Sequence, residues 1–271
     1  MQSWVDGQPA DSLPLKDRGL AYGDGLFETI AVKAGRARLL ERHLRRLVDG
    51  GQRLGMAVNH PLIRSELLVY SAAMGEGVLK LILTRGDSLR GYATAADAVP
   101  RRILQGSPAA IYPAALQNEG IRLFPCITRL SEQPLLAGLK HLNRLEQVIA
   151  RSEWQDAEYA EGLMLDGAGR VIEGVFSNLF LVRDGVLFTA DLSRCGVAGV
   201  MRAELLDQAR ALAIPVSISD ISMEQFRQAD EVFLCNSVYG VWPVRAFTDL
   251  SWSVGPLTRK LQGIARALLD V

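Results

Sequence analysis

The sequence predicts an α+β fold, and three observations support this class. In the N-terminal part, short strands and turns are followed by helical segments, whereas hairpins dominate from about residue 162 onward. The length of 271 residues suits one large domain or two modest ones. A content of 49% hydrophobic and 22% charged residues is ordinary for a globular chain.

Both strands and helices are predicted in the first hundred residues. Leu26–Lys33 is rich in β-branched and aromatic residues, and the Ala34-Gly35 turn after it predicts a hairpin. Apolar residues recur at helical spacing from Leu40, and a second helix is predicted over about 61–74. Gly77–Thr84 is predicted to be a strand.

Beyond residue 120 the pattern is mixed. Ile121–Cys126 is predicted to be a strand, and the helix predicted after Lys140 shows an apolar stripe, whose members are Leu142, Leu145, Val148 and Ile149. The other predicted elements are hairpin strands near 162–165, 170–172, 178–182 and 186–189, a helix over about 201–213, strands near 216 and over 232–235, and a closing helix over about 257–269.

The segment Gln105–Gly120 shows no clear periodicity and is the best candidate for a connection between domains. We therefore predict a small N-terminal α/β domain over 1–107 and an inter-domain passage over 108–120. A larger domain, rich in antiparallel strands, is predicted over 121–271.

Composition argues against several kinds of partner. Thirty basic residues balance thirty acidic ones, so neither nucleic acid nor a membrane surface is an expected partner. The N-terminus has no basic region followed by an apolar stretch, and three distant cysteines form no disulfide framework. The three histidines show no metal-ligand spacing, so we expect no metal site. These features predict a cytoplasmic protein.

Lysine is rare, which restricts the candidates for amine chemistry to Lys16, Lys33, Lys80, Lys140 and Lys260. Lys140 follows an apolar loop and stands where a helix is predicted to begin, and both features lower the pKa of an amine. The alternative is a lysine whose stem packs while its amine reaches water. Lys80 lies on a predicted strand between Leu79 and Leu81, so we expect it on an exposed face.

Other polar residues supply complementary groups. Glu173 ends a hairpin strand among apolar neighbours, where a carboxylate needs a partner, although an exposed turn also explains it. Gly196–Arg202 opens a helix whose N–H groups suit a phosphate, although it also reads as a short glycine-bearing connection. Arg46 and Asn236-Ser237 would add a cation and a hydroxyl. Together with an amine, these are the groups that pyridoxal phosphate requires.

Several segments resemble the fold-type IV pyridoxal-phosphate enzymes, and the resemblance extends over nearly the whole chain. The matching segments are Arg18–Glu28, His43–Leu47, Lys140, Glu173–Phe180, and Leu187–Thr189 running into Val197–Arg202. Within that family, Lys140–Val148, Arg90-Gly91-Tyr92 and Cys235-Asn236-Ser237 are most similar to the 4-amino-4-deoxychorismate lyases. D-amino-acid or branched-chain aminotransferases of the same fold are the first alternative. A non-catalytic cofactor- or metabolite-binding protein is the second.

The resemblance implies a two-domain homodimer that uses pyridoxal 5'-phosphate. Its implied reaction is the conversion of 4-amino-4-deoxychorismate to p-aminobenzoate and pyruvate, for folate synthesis. Lys140 would bind the cofactor aldehyde and act as the catalytic base, and Glu173 would pair with the ring nitrogen. The implied phosphate ligands are Arg46, the backbone N–H groups of Val200 and Met201, and Ser237, with Asn236 beside it. Candidate ligands for the substrate are Arg85, Arg90 and Tyr92.

Overall fold

The computed structural model describes residues 2–88 and 91–270, which form two compact units. The first unit comprises the chain up to Ala110 together with Leu139–Asn143, and the second comprises Ile111–Gly138 and Arg144–Asp270. Helices and strands are mixed in the chain, so the predicted α+β class is confirmed.

An antiparallel sheet with the strand order β2-β1-β6-β5-β3-β4 forms the base of the first unit. The elements of the unit are β1 (Trp4–Val5), β2 (Gln8–Pro9), α1 (Arg18–Tyr22), β3 (Gly25–Lys33), β4 (Arg36–Ala37), α2 (Leu40–Arg53), α3 (His60–Met74), β5 (Gly77–Thr84) and β6 (Arg101–Ser107). Helices α2 and α3 pack on this sheet. Alternate residues of its central strands, such as Ile30 and Leu79, are fully buried because successive side chains point to opposite faces. Strand β5 has the predicted bounds.

A more extensive sheet organises the second unit. Its elements are α4 (Ala114–Asn118), β7 (Ile121–Leu130), α5 (Leu145–Ser152), β8 (Tyr159–Asp166), β9 (Val171–Gly174), β10 (Asn178–Arg183), β11 (Val186–Ala190), α6 (Val200–Ala211), β12 (Val216–Ser219), α7 (Met223–Arg227), β13 (Glu231–Asn236), β14 (Gly240–Phe247), β15 (Leu250–Ser251) and α8 (Pro256–Asp270). The order is β12-β11-β10-β13-β14-β7-β8-β9, with β15 paired to β14. Because β9 also pairs with β10, the strands from β10 round to β9 form a closed ring.

The segment Leu139–Asn143 is extended rather than helical. The Phe27 N–H donates to the Lys140 carbonyl at 2.9 Å, and the Leu142 N–H donates to the Gly25 carbonyl at 3.0 Å. These bonds attach the segment to β3 of the first unit, although the sequence assigned it to the larger domain. Helix α5 begins only at Leu145, so the prediction that a helix starts at Lys140 is wrong.

The predicted apolar stripe of α5 does not lie in the core. Leu145 is 74% exposed and Val148 is 60% exposed, and Ile149 also faces outward. Helical spacing predicts which residues share a face but not what covers that face. No helix in the described part of the chain has both the length and the apolar character needed to cross a membrane.

Candidate active site

In the first unit, a buried carboxylate on β3 joins two residues of α2. Glu28 accepts hydrogen bonds from Arg46, whose Nε lies 2.8 Å from Oε1 and whose Nη2 contacts Oε2. The Nδ1 atom of His43 lies 2.5 Å from Glu28 Oε2. His43 and Arg46 are three residues apart, so they share one face of the helix. The predicted phosphate ligand Arg46 is therefore held in place by an ion pair.

The charges in this cluster follow from its burial. Burial raises the pKa of Glu28, but the charge of Arg46 and the hydrogen bond with His43 outweigh it and lower the pKa to about 2. Burial lowers the pKa of His43, which the contact with Glu28 offsets only in part. Since an ionised carboxylate only accepts hydrogen bonds, the neutral imidazole donates from Nδ1.

Lys140 lies close to the same strand. Its Nζ atom is 4.4 Å from the ring centroid of Phe27, and its side chain is partly buried. Lys80 has its Nζ atom 5.3 Å from the same ring and is exposed, as the strand alternation predicts. Both amines are within the range of a cation–π contact, so they differ in exposure rather than in this contact.

The predicted substrate ligands have different surroundings. Arg85 donates from Nε to Asp24 at 2.8 Å and from Nη1 and Nη2 to backbone carbonyls, and its role as a substrate ligand stays a prediction. Burial raises the pKa of Asp24, but hydrogen bonds from Arg85 and Arg18 outweigh it and lower the pKa. Tyr92 is 87% exposed, and its carbonyl accepts from Arg18. Arg90 lies outside the described residues.

In the second unit, Glu173 is buried at the end of β9 and directly faces Asn178 on β10. Its Oε2 atom accepts from the Val197 N–H at 2.9 Å and from Asn178 Nδ2 at 3.2 Å. Asn178 also donates to the Val197 carbonyl at 2.8 Å. The alternative of a solvent-facing turn at Glu173 is wrong, because backbone and amide donors satisfy a buried carboxylate here.

The glycine-bearing loop after Cys195 leads into α6 as predicted. The first hydrogen bond of the helix runs from the Ala203 N–H to the Gly199 carbonyl, so the helix itself does not use the N–H groups of Val200 and Met201. Arg202 fixes this first turn to β11, since its Nη2 donates to the Ala190 carbonyl at 2.9 Å. The helix start is therefore a fixed set of donors for an anion.

Asn236 and Ser237 follow β13 in a tight turn. The Oδ1 atom of Asn236 accepts from the Val238 and Tyr239 N–H groups, both at 2.9 Å. The Nδ2 atom of Asn236 donates to the Phe176 carbonyl at 3.4 Å. Asn236 thus shapes the turn that carries Ser237, and its predicted contact with the cofactor stays a prediction. The candidate residues form two groups, one in each unit.

Comparisons with known proteins agree on one family. A model described as amino-transferase class IV matches residues 25–247. The aminodeoxychorismate lyase of Vibrio harveyi is 36% identical over 96% of this chain and 98% of the relative. A putative branched-chain-amino-acid aminotransferase of Methanocaldococcus jannaschii is 28% identical over 97% of this chain and 94% of the relative.

Solved structures lead to the same family. The 4-amino-4-deoxychorismate lyase from Pseudomonas aeruginosa is 62% identical, with a TM-score of 0.97 over 99% of this chain and 100% of that chain. The branched-chain amino acid aminotransferase of Escherichia coli is 24% identical with a TM-score of 0.85 over 99% of this chain and 94% of that chain, which shows a shared fold. The chain belongs to the class IV aminotransferase family. The predicted fold-type IV resemblance is confirmed.

The donor set fits the cofactor of this family, pyridoxal 5'-phosphate. A carboxylate suits the ring N–H, a helix N-terminus suits the phosphate, and an amine suits the aldehyde. At Gly199 a Cβ atom would lie 1.9 Å from Asn178 Oδ1, so any other residue here would displace the Asn178 amide from its hydrogen bonds. Sequence reasoning missed Asn178 and the buried Glu28 as organising residues. Both lie in segments that carry the family resemblance, which was the available signal.

Replacing Glu28 tests the buried cluster. Glu28→Gln leaves Arg46 without its carboxylate, so we expect a loss of about 3–5 kcal/mol in the free energy of unfolding at pH 7. The pKa of Glu28 is lowered to about 2, so its contribution is present above the unfolded value of 4.5 and is lost as the pH falls toward 2. Urea unfolding at pH 7, 5 and 3.5 should show the difference between the proteins shrinking below pH 4.5.

The control is Glu41→Gln, because Glu41 on α2 forms an exposed ion pair with Arg64 on α3. Exposed pairs contribute about 0–1 kcal/mol, so this variant should unfold like the wild type. Equal stability of the two variants at pH 7 would contradict the proposed importance of the buried pair.

Proposed function

We propose that this chain is a pyridoxal-phosphate-dependent lyase that converts 4-amino-4-deoxychorismate into p-aminobenzoate and pyruvate. The observation that carries the proposal is its 62% identity, over 99% of its length, to a protein described as that lyase. The 36% identical relative from Vibrio harveyi has the same described activity. The residues of the candidate site supply the chemistry that this reaction requires.

Each candidate residue has a defined task in this proposal. Glu173 would hold the ring nitrogen in its protonated form, and Lys140 would hold the aldehyde. The N–H groups at the start of α6, the Ser237 hydroxyl and Arg46 would bind the phosphate. The bound cofactor supplies an electron sink for a carbon next to the substrate amine.

The chain segment that precedes Lys140 is hydrogen-bonded to the glycine-bearing loop of the second unit. Gly138 precedes Lys140 by two residues in the chain. The Gly138 N–H donates to the Gly196 carbonyl at 2.9 Å, and the Ala198 N–H donates to the Gly138 carbonyl at 3.0 Å. The loop that bonds Glu173 is therefore paired with the chain just before the candidate amine.

Lys140 would move the protons of the reaction. As a neutral amine it would take the proton from ring carbon C4 of the substrate, and it would then return a proton to the departing enolpyruvate. The products p-aminobenzoate and pyruvate together contain all atoms of the substrate. Formation of the aromatic ring provides the thermodynamic drive.

An aminotransferase is the second candidate function. The family model carries that description, and the 28% identical relative is described as a putative branched-chain-amino-acid aminotransferase. Both reactions use the same cofactor groups. They differ in their co-substrate, because transamination needs a 2-oxo acid as amino acceptor whereas the lyase needs none.

We also propose that the enzyme is a cytoplasmic homodimer with a small-molecule substrate. The three cysteines are free and buried, which suits a reducing compartment. The exposed apolar stripe of α5 supports association, since Leu145, Val148 and Ile149 are all more than half exposed. The exposed Leu135 and Ile127 belong to the same unit.

The oligomeric state is tested by placing a charge on this stripe. Val148→Asp should shift the mass measured by light scattering from about twice 29.6 kDa to the monomer value, because burying a carboxylate at an interface is unfavourable. Val69→Asp is the matched control, since Val69 is 58% exposed on α3 of the first unit. A monomeric wild type, or a dimer that Val148→Asp leaves intact, would refute the proposal.

A pyruvate assay separates the lyase from the aminotransferase. With 4-amino-4-deoxychorismate as the sole substrate, the holoenzyme should release pyruvate and p-aminobenzoate in equal amounts without any added 2-oxo acid. Lys140→Ala should lower this turnover by at least about 100-fold, the contribution of one positioned acid–base group.

Lys80→Ala is the control for this substitution, since Lys80 also lies near the Phe27 ring and is not assigned to the reaction. It should retain the wild-type rate. Product formation that depends on an added 2-oxo acid would favour the aminotransferase instead, and full turnover by Lys140→Ala would overturn the assigned role.

A further inference from the structure

A second carboxylate in the second unit is fully buried near Glu173. Glu161 lies on β8, and its side chain has no ion pair among the described residues. The Ser177 hydroxyl donates to its Oε2 atom at 2.6 Å. Backbone N–H groups also donate to it, at 2.9 Å from Gly162, 3.0 Å from Val175 and 3.2 Å from Phe176. The carboxylate is therefore satisfied by hydrogen bonds alone.

Most of these donors belong to the loop Gly174–Ser177, which connects β9 to β10. The Gly174 N–H donates to the Ser177 carbonyl at 2.7 Å, which closes the loop. A Cβ atom on Gly174 would lie 2.4 Å from Ser177 Oγ and 2.9 Å from Glu161 Oε2. The loop is thus packed tightly against the carboxylate, and its shape depends on that acceptor.

The titratable groups near Glu161 are phenols and a thiol. Burial first, and then the charge of Glu161, raise the pKa values of Tyr112 and Tyr239. Burial likewise raises the pKa of Cys126 to about 12, with a smaller contribution from Glu161. Burial raises the pKa of Glu161 itself to about 7, against the opposing hydrogen bonds from Ser177 and the backbone. In the described part of the chain these neighbours include no cation, so the loop donors together with the Gly162 N–H satisfy the carboxylate.

The residues that flank the loop on either side belong to the candidate site. Glu173 precedes it and Asn178 follows it, and the two face each other across β9 and β10. The Phe176 carbonyl, in the middle of the loop, accepts from Asn236, which shapes the turn that carries Ser237. A displaced loop would therefore disturb the group assigned to the ring nitrogen and the turn assigned to the phosphate.

We propose that Glu161 is a positioning residue that holds the loop Gly174–Ser177 so that Glu173 is correctly oriented for the cofactor ring. This inference rests on the proposed function, because it takes the assignment of Glu173 from there. Glu161 acts through the loop and not on the substrate. Its effect should therefore be found in cofactor binding and in the absorbance of the bound cofactor.

The test compares Glu161→Gln with a buried control in the same unit. Glutamine introduces an NH2 group where four donors converge, so at least one hydrogen bond is lost. Glu161→Gln should raise the dissociation constant of pyridoxal phosphate about tenfold, the effect of one lost hydrogen bond to a charged group. The absorbance maximum of the bound cofactor should also shift, because protonation of the ring nitrogen depends on Glu173.

Glu231→Gln is the control. Glu231 is also buried and accepts backbone hydrogen bonds, from Leu257 and Thr258 at the start of α8, but it does not contact the loop. It should lower the thermal unfolding temperature while the dissociation constant and the absorbance stay at the wild-type values. Ser177→Ala removes a single donor to Glu161. It should shift the dissociation constant and the absorbance maximum in the same direction as Glu161→Gln, so it tests the positioning role if Glu161→Gln does not fold.

The outcomes separate the two proposals. Wild-type dissociation constants and spectra in both Glu161→Gln and Ser177→Ala would overturn the positioning role while leaving the proposed function intact. The positioning role would also be overturned if Glu231→Gln changed cofactor binding as strongly as Glu161→Gln, because general destabilisation would then explain the effect. A wild-type protein that does not bind pyridoxal phosphate would overturn both.

Discussion

The hydrogen bond from the Val197 N–H to Glu173 is the contact on which the candidate site of the second unit depends. It joins the end of β9 to the loop that opens α6, over 24 residues of sequence. Asn178 reinforces the junction by bonding both Glu173 and the Val197 carbonyl. Gly199 is required beside it, since a side chain there would collide with Asn178. This contact thus joins the residue proposed as the ring-nitrogen partner to the start of the helix proposed to bind the phosphate.

In the first unit, a buried carboxylate is balanced by a different set of donors. Glu28 is as deeply buried as Glu173, but it is balanced by the charge of Arg46 and by neutral His43. A buried carboxylate with a cationic partner stays ionised, which explains its low pKa. Glu161 is balanced by hydrogen bonds alone. The three carboxylates show that a buried acid can be balanced by an ion pair or by backbone and side-chain hydrogen-bond donors.

Local signals in the sequence were sufficient for much of the fold. The hairpin predicted from the strands near 178–182 and 186–189 is confirmed, and Asp184 and Gly185 between them have the positive φ angles that a two-residue hairpin turn needs. The scarcity of lysine and the family resemblance singled out Lys140 and Glu173. Long-range contacts escaped prediction because no local pattern encodes them. An example is the bond from Arg85 to Asp24, which lies 61 residues earlier in the chain. The exposure of the α5 stripe was likewise not predictable, because periodicity does not show what covers a face.

Chemical trapping tests directly the proposal that the amine of Lys140 holds the cofactor. Borohydride reduction of the protein loaded with pyridoxal phosphate, followed by proteolysis and mass spectrometry, locates the amine that carries the label. We expect a phosphopyridoxyl group on the peptide that contains Lys140. A label on Lys80 or on another lysine, or an unlabelled protein after reduction, would contradict it.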